Sequence, residues 1–264
     1  MPLTPEALGR LLQPYLATAP PEAVIAADWP RIYEQLREYL GLLMRWNARI
    51  NLTAIHTPEE IVRRHFGESL FAGLHLGVVK GTALAAEVMP GEPGRKPRSD
   101  SAALVPGLKS RPTSKTGARF MAPGDMKGVA DSSPTLLDFG SGAGFPGLPI
   151  QILHPNLHVT LAESRHKKTS FLREVIRTLG LPTEVWAERV EAMPASRLFD
   201  TVTLRAVDEM EQAVAAASHR ASRRLVILGT TASSYPALQA SFHRPQSIPI
   251  PETVDGSLLI YRRK

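Results

Sequence analysis

Residues 135–149 read TLLDFGSGAGFPGLP, an apolar run ending at Asp138, then glycines at 140, 142 and 144, then a proline. Glycines at this spacing let a chain turn sharply from strand to helix and bring its backbone close to a ligand. Phe145 stands where the dinucleotide fingerprint G-x-G-x-x-G requires its third glycine. Asp138 lies two residues before Gly140, where its carboxylate would face and repel a bound pyrophosphate, at a cost of about 1–4 kcal/mol at a partly wet site. S-adenosylmethionine carries an ammonium and a sulfonium and no phosphate, so the same carboxylate suits it. The next apolar run, HVTLAES, closes on Glu163. An acid about twenty residues past the turn can accept both ribose hydroxyls. Strand, Asp138, glycine turn with Gly140 and Gly142, helix, strand and Glu163 form one cofactor-binding pattern.

From residue 135 onward, strand and helix patterns alternate, as in a parallel α/β sheet. A helix is expected from Pro146 to Leu153. HVTLAE leads into another, with Phe171, Leu172, Val175, Ile176 and Leu179 on one face and Gly180 as its stop. TEVWAER, DTVTLRAV and RRLVILG read as strands three to five, and MEQAVAAASHR as a helix. SIPIPETVDGSLLIYRR reads as a closing hairpin turning at Asp255-Gly256. Crossover rules bring the strand C-termini to one edge, so Asp138, Glu163, the 188–191 turn and Arg205 are expected to converge there.

The first eighty residues read as helices. Thr4-Pro5-Glu6 opens one; Ile32, Leu36, Leu40, Leu43 and Trp46 form the stripe of a second, over 29–50. Asn47 and Asn51 are expected to bracket a turn. Thr57-Pro58-Glu59-Glu60 reads as a capping box opening a third helix, with Arg63, Arg64 and His65 on its outer face. Residues 81–133 hold six prolines, seven glycines and one aromatic. A core cannot form from that composition, which reads as a disordered insert dispensable for folding. Eight Lys/Arg against five Asp/Glu there supply half of the net charge of +6. The expected division is a helical part, 1–80, the insert, 81–133, and the cofactor-binding domain, 134–264.

The absence of cysteine removes thiolate metal sites, disulfides and a cysteine nucleophile. No apolar stretch approaches the roughly 20 residues needed to span a bilayer, and MPLTPEALGRLLQPYL does not read as a signal peptide, so the expectation is a cytoplasmic protein without membrane partners. Positive charge and a pI of about 9.8 favour a polyanionic partner.

LDFGSGAGFPGLPI followed by VTLAESRHKKTSFL resembles the bacterial small-subunit ribosomal RNA methyltransferases of the RsmG (GidB) type. WNARINLTAI, RHFGESL, AERVEAMP and TLRAV are similar to further motifs of that family, so the likeness spans 31–79 and 135–230. It implies a Rossmann-like S-adenosylmethionine-dependent methyltransferase fold, a mostly parallel seven-stranded sheet with helices on both faces. It also implies methylation of N7 of one guanine in 16S ribosomal RNA. Carried over by position, the cofactor contacts are Gly140, Phe145, Val190, Glu191 and Arg205, with Arg205 meeting either the methionine carboxylate or the RNA. RNA contacts are expected at Arg63 and Arg64. Two features depart from the family: Leu228-Gly229-Thr230 lacks the lysine usual after the fifth strand, and the insert replaces a short loop. Guanine N7 carries a lone pair and no proton, so no general base and no metal is expected, and catalysis is positional. His65, His154, His158 and His166 read as surface or helix-end residues. Trp46 and Trp186 read as core, and Lys167 and Lys168 as either phosphate contacts or a solvated helix start. An RNA-binding protein of this fold without turnover is the alternative, and an NAD-dependent oxidoreductase is disfavoured. A monomer is the expected state.

Overall fold

The computed structural model describes residues 3–77, 133–207 and 209–264, so the expectation for the insert lies outside the described residues. The strands are β1 (Thr135–Phe139), β2 (His158–Ala162), β3 (Glu184–Trp186), β4 (Phe199–Arg205), β5 (Ala221–Thr230), β6 (Gln246–Pro249) and β7 (Gly256–Arg262). They form one seven-stranded sheet in the order β3-β2-β1-β4-β5-β7-β6. The first five run parallel, and β7 lies antiparallel to both β5 and β6. This is the mostly parallel seven-stranded sheet expected from the sequence. The chain reverses its strand order at β1, so the crevice for a ligand opens beyond the C-termini of β1 and β4.

Period-two alternation splits the sheet into two faces. In β5, Val226 and Leu228 point to one face, Leu225 and Ile227 to the other. The first face is covered by α1 (Pro5–Ala17), α2 (Pro21–Ile25), α3 (Trp29–Ile50), α5 (Glu68–His75), α6 (Gly147–Leu153) and α7 (His166–Leu179). Its apolar residues run from Leu8, Leu36 and Phe66 to Leu136, Phe171 and Ile260 in one continuous cluster. The N-terminal helices therefore share a core with the sheet. The second face is covered by α8 (Met210–Ser218) and a short turn at Pro236–Ala240.

Local rules account for most boundaries. Thr4 Oγ1 accepts the Ala7 amide and caps α1, with Pro5 in its first turn. Gly180, at φ +63°, ends α7, and Asn51, at φ 52°, ends α3. Asn47 belongs to the last turn of α3, where its side chain accepts the Thr53 amide at 2.9 Å and so orders the following loop. Thr57 makes no backbone cap; its hydroxyl bonds Glu60 Oε2 at 2.7 Å instead. The hairpin expected to turn at Asp255-Gly256 turns earlier, with positive φ at Glu252 and Ile250 N–H donating to Gly256 O at 2.9 Å; Gly256 already belongs to β7.

The third N-terminal helix departs furthest from expectation. Between α4 (Pro58–Glu60) and α5, residues Ile61–Gly67 form a π-helix. A π turn takes more residues than an α turn and rotates the faces that follow it. Arg63 and Arg64 stay near solvent, pairing with Glu252 at 3.9 Å and Glu68 at 2.9 Å. His65 turns inward.

Candidate functional site

A cleft of about 800 Å³ opens at the C-terminal edge of the sheet. Its floor is the glycine turn after β1, in which Gly140, Gly142 and Gly144 all have positive φ. The turn is held from within and by α3. Gly144 N–H donates to Ser141 O at 2.7 Å, and the Tyr39 hydroxyl of α3 donates to Ala143 O. Phe145 packs between Tyr39 and His65, with ring centroids at 5.5 Å and 4.6 Å.

Glu163 leaves the end of β2 and closes back on the turn. One carboxylate oxygen accepts Gly142 N–H at 3.0 Å and the other accepts Arg165 N–H at 2.7 Å. Each oxygen retains a second acceptor direction, facing a cleft that Glu163 lines. Val190 and Glu191 line the opposite wall, together with Glu188 and Arg189. This turn is positioned by Arg220, at the end of α8, whose guanidinium donates to Val190 O at 3.2 Å and Met193 O at 2.6 Å. Arg220 was not singled out in the sequence. An arginine just before an apolar strand was its only signal.

Asp138 is fully buried and does not line the cleft. Alternation along β1 puts it on the same side as Leu136, beneath α6. There it accepts Gly147 N–H at 3.1 Å and the Thr203 hydroxyl at 2.9 Å. The carboxylate fixes the turn from below rather than facing a ligand, so its expected repulsion of a pyrophosphate has no direct geometry, and Glu163 supplies the acid in the cleft. Burial pushes the Asp138 carboxyl up to about 6, against the opposing pull of Thr203, Gly147, Ser141 and Arg205. The folded chain therefore holds this proton more tightly than the unfolded chain. That contribution to stability is present below about pH 4 and is lost as pH rises through about 6. Asp138→Asn keeps an oxygen for Gly147 and turns an amide toward Thr203. Its stability relative to the unaltered chain is expected to rise by on the order of 2–3 kcal/mol between pH 4 and 6 and to stay level outside that window. Urea unfolding across this range measures it, since the opposite slopes of His65, His75 and His154, all held low mainly by burial, are common to both proteins. Parallel curves would put the carboxyl at its ordinary value.

Arg205, at the end of β4, lines the cleft and is 12% exposed. It pairs with Glu68 of α5 at 3.0 Å and donates to Arg64 O at 2.7 Å. Its Nη1 is buried without a hydrogen-bond partner. Its ion-pair partner, Glu68, lies 137 residues away in the chain. His65 is the second departure. It lines the cleft, its Nε2 lies 2.7 Å from Thr53 Oγ1, and its Nδ1 is also buried and unpartnered. Burial, with Arg205 and Arg64 nearby, lowers its pKa to about 3, so the ring is neutral at pH 7. The other three histidines sit at element ends, with His154 Nε2 on Gly73 O at 2.9 Å. Arg63 and Arg64 are not among the cleft residues.

The cleft thus offers the glycine turn, Glu163 closing on it, apolar Val190 and two buried nitrogens without partners, Arg205 Nη1 and His65 Nδ1. A family model, GidB, described as rRNA small subunit methyltransferase G, matches residues 32–80 and 126–235. Ribosomal RNA small subunit methyltransferase G of Chromobacterium violaceum is 34% identical over 187 residues, covering 70% of this chain and 64% of that protein. The proteins of the same description from Roseiflexus castenholzii and Nitrosomonas europaea are 34% and 28% identical, each over 196 residues. They are matched over 61% and 66% of their lengths, against 70% and 74% of this chain. The chain thus spans a little under two thirds of the curated relatives it matches.

Proposed function

This chain belongs to the GidB family, rRNA small subunit methyltransferase G, and on that premise we propose that it methylates N7 of a guanine in 16S ribosomal RNA, with S-adenosylmethionine as methyl donor. The observation that carries the proposal is the cleft, where Glu163 closes on the glycine turn and Arg205, with one nitrogen unpartnered, lines the wall. When bound, S-adenosylmethionine supplies an electrophilic methyl on sulfur. The chain's own residues bind and orient. The backbone of Gly140 and Gly142 lets the ligand approach closely, Glu163 accepts the ribose hydroxyls, and Val190 and Phe145 offer apolar surface, with Glu191 at the rim. Arg205 meets the carboxylate of the amino-acid tail, its charge already balanced by Glu68. Asp138 holds the turn in shape.

Guanine N7 needs no deprotonation, so the site's task is to align the base and exclude water. Methylation leaves a cationic purine, which Glu163, Glu188, Glu191 and Glu209 in the cleft favour. Arg63 and Arg64 sit on the outer side of the segment that carries His65 and serve as phosphate contacts once RNA displaces Glu252 from Arg63 and joins Glu68 on Arg64. The partner is the small ribosomal subunit or its RNA, the compartment is the cytoplasm, and the chain acts as a monomer. Among the described residues no helix is long and apolar enough to cross a membrane.

The experiment is transfer of labelled methyl to 16S ribosomal RNA from cells lacking this activity, followed by mapping of the modified base. One N7-methylated guanine is expected. Cofactor and RNA binding without transfer would favour the RNA-binding reading, which the missing lysine beside Gly229 motivates. Binding of NADH in place of S-adenosylmethionine would overturn the assignment.

A further inference from the structure

His65 is fixed by two contacts. Its ring stacks on Phe145 at 4.6 Å and an interplanar angle of 22°. Thr53 holds Nε2 at 2.7 Å. Thr53 is itself anchored, its amide on Asn47 Oδ1 at 2.9 Å and its Oγ1 accepting the Ile55 amide at 3.2 Å. The Thr53 hydroxyl accepts from Ile55 and can give its own proton to Nε2, the arrangement that places the ring proton on Nδ1. That N–H is shielded from water and has no acceptor among the described residues. Leaving a buried donor unmade costs about 1–3 kcal/mol, and such groups persist where something else meets them. His65 lines the cleft, so a base that presses into this wall on binding can bring the acceptor.

Of the two unspent donors on this wall, the guanidinium of Arg205 suits a carboxylate, while the imidazole suits a neutral carbonyl. Guanine carries O6 beside N7; adenine carries an amino group in the same place. We propose that the Nδ1–H of His65 donates to O6 of the acceptor base, selecting guanine over adenine while leaving N7 free to receive the methyl. This rests on the methyltransferase reading of the cleft. Adenine would set donor against donor in a wall that water does not reach, a mismatch far more costly than a merely weakened contact. The neutrality of the ring matters as well. An imidazolium at this place would oppose the positive charge that methylation creates on the purine. Its depressed pKa keeps that from happening at pH 7. His65 is thus a specificity residue, and Thr53 is the positioning residue that sets its tautomer.

The test uses the full chain and 16S ribosomal RNA carrying either guanine or 2,6-diaminopurine at the methylated position, an exchange that replaces O6 by an amino group. The unaltered chain is expected to prefer guanine by 10- to 100-fold in kcat/KM. His65→Phe keeps the stacking and removes the donor. It should lose 10- to 100-fold on guanine, lose nothing further on diaminopurine, and bind S-adenosylhomocysteine within two-fold of the unaltered chain by calorimetry. His65→Asn, whose amide nitrogen overlays Nδ1, should recover part of the preference. If His65→Phe melts early, Thr53→Val gives the same comparison with the imidazole in place, because Nε2 is then free to take the proton and discrimination should fall. Preference for guanine undiminished in His65→Phe, or in Thr53→Val where that variant stands in, would overturn the proposal alone. No transfer by the unaltered chain to either RNA would overturn the methyltransferase reading and this proposal with it.

Discussion

Gly144→Val is expected to lose cofactor binding and to lower the melting temperature by about 10 °C or more. A Cβ at this position would lie 2.4 Å from Leu148 Cδ1 and 2.7 Å from the Tyr39 hydroxyl, at φ +94°. Neither neighbour has room to withdraw, since Leu148 and Tyr39 are fully buried. Overpacking contributes about 1–3 kcal/mol, and a β-branched residue at positive φ about as much again. For a chain of this size each kcal/mol shifts the midpoint by about 2–4 °C. Gly142→Val provides the contrast. A Cβ there meets nothing closer than Lys168 Nζ at 3.8 Å, so only the strain of φ +58° applies. That variant should stay folded, with a smaller loss in melting temperature, and still fail to bind, because its side chain enters the cleft. Thermal melts and calorimetry separate the two. Equal melting temperatures for both variants would show that the contacts of Gly144 do not hold the turn.

Arg205→Ala is expected to lose methyl transfer by about 100-fold or more, as removal of a preorganised donor does elsewhere. It should also destabilise the chain, because Glu68, 5% exposed, loses one of its two arginines and Arg64 O loses its donor. Breaking a buried pair by removing one partner costs about 3–5 kcal/mol, much of it from the carboxylate left behind. The stability effect and the activity effect can be separated. Glu68→Gln in the Arg205→Ala background removes the stranded charge and should restore most of the melting temperature without restoring transfer. If the double variant turned over normally, Arg205 would be a structural ion pair and nothing more.

The glycine turn, the strand before it and the helix after it were legible because each is decided by backbone sterics within a few residues. Glu163 was legible from its distance beyond the turn, since a β-α-β unit has little freedom in where its second strand ends. Arg205 was legible as a charge closing an apolar strand. Asp138 was misplaced for a reason also present in the sequence: alternation along TLLDF puts it on the face of Leu136, under the helix, and not on the turn above. His65 faces inward for a reason the sequence also holds: it follows Ile61 by four residues and Val62 by three, so helical spacing puts it on their packed face, and only its neighbours Arg63 and Arg64 suggested solvent. Leu43 and Trp46, on an unbroken α-helix, were placed on the packed side correctly.

Sequence by itself therefore determined the order of elements, the sheet, the turn and the acid that serves it, because these follow from local geometry and from the hand of the crossovers. Only the tertiary structure decided what the polar groups do. Glu68 meets Arg205 across 137 residues and Arg31 of α3 reaches Ile152 O across 121. Tyr39 meets the turn across 104. Such pairings leave no periodic trace in the chain, since each depends on how helices from one end of the sequence settle on a sheet formed by the other.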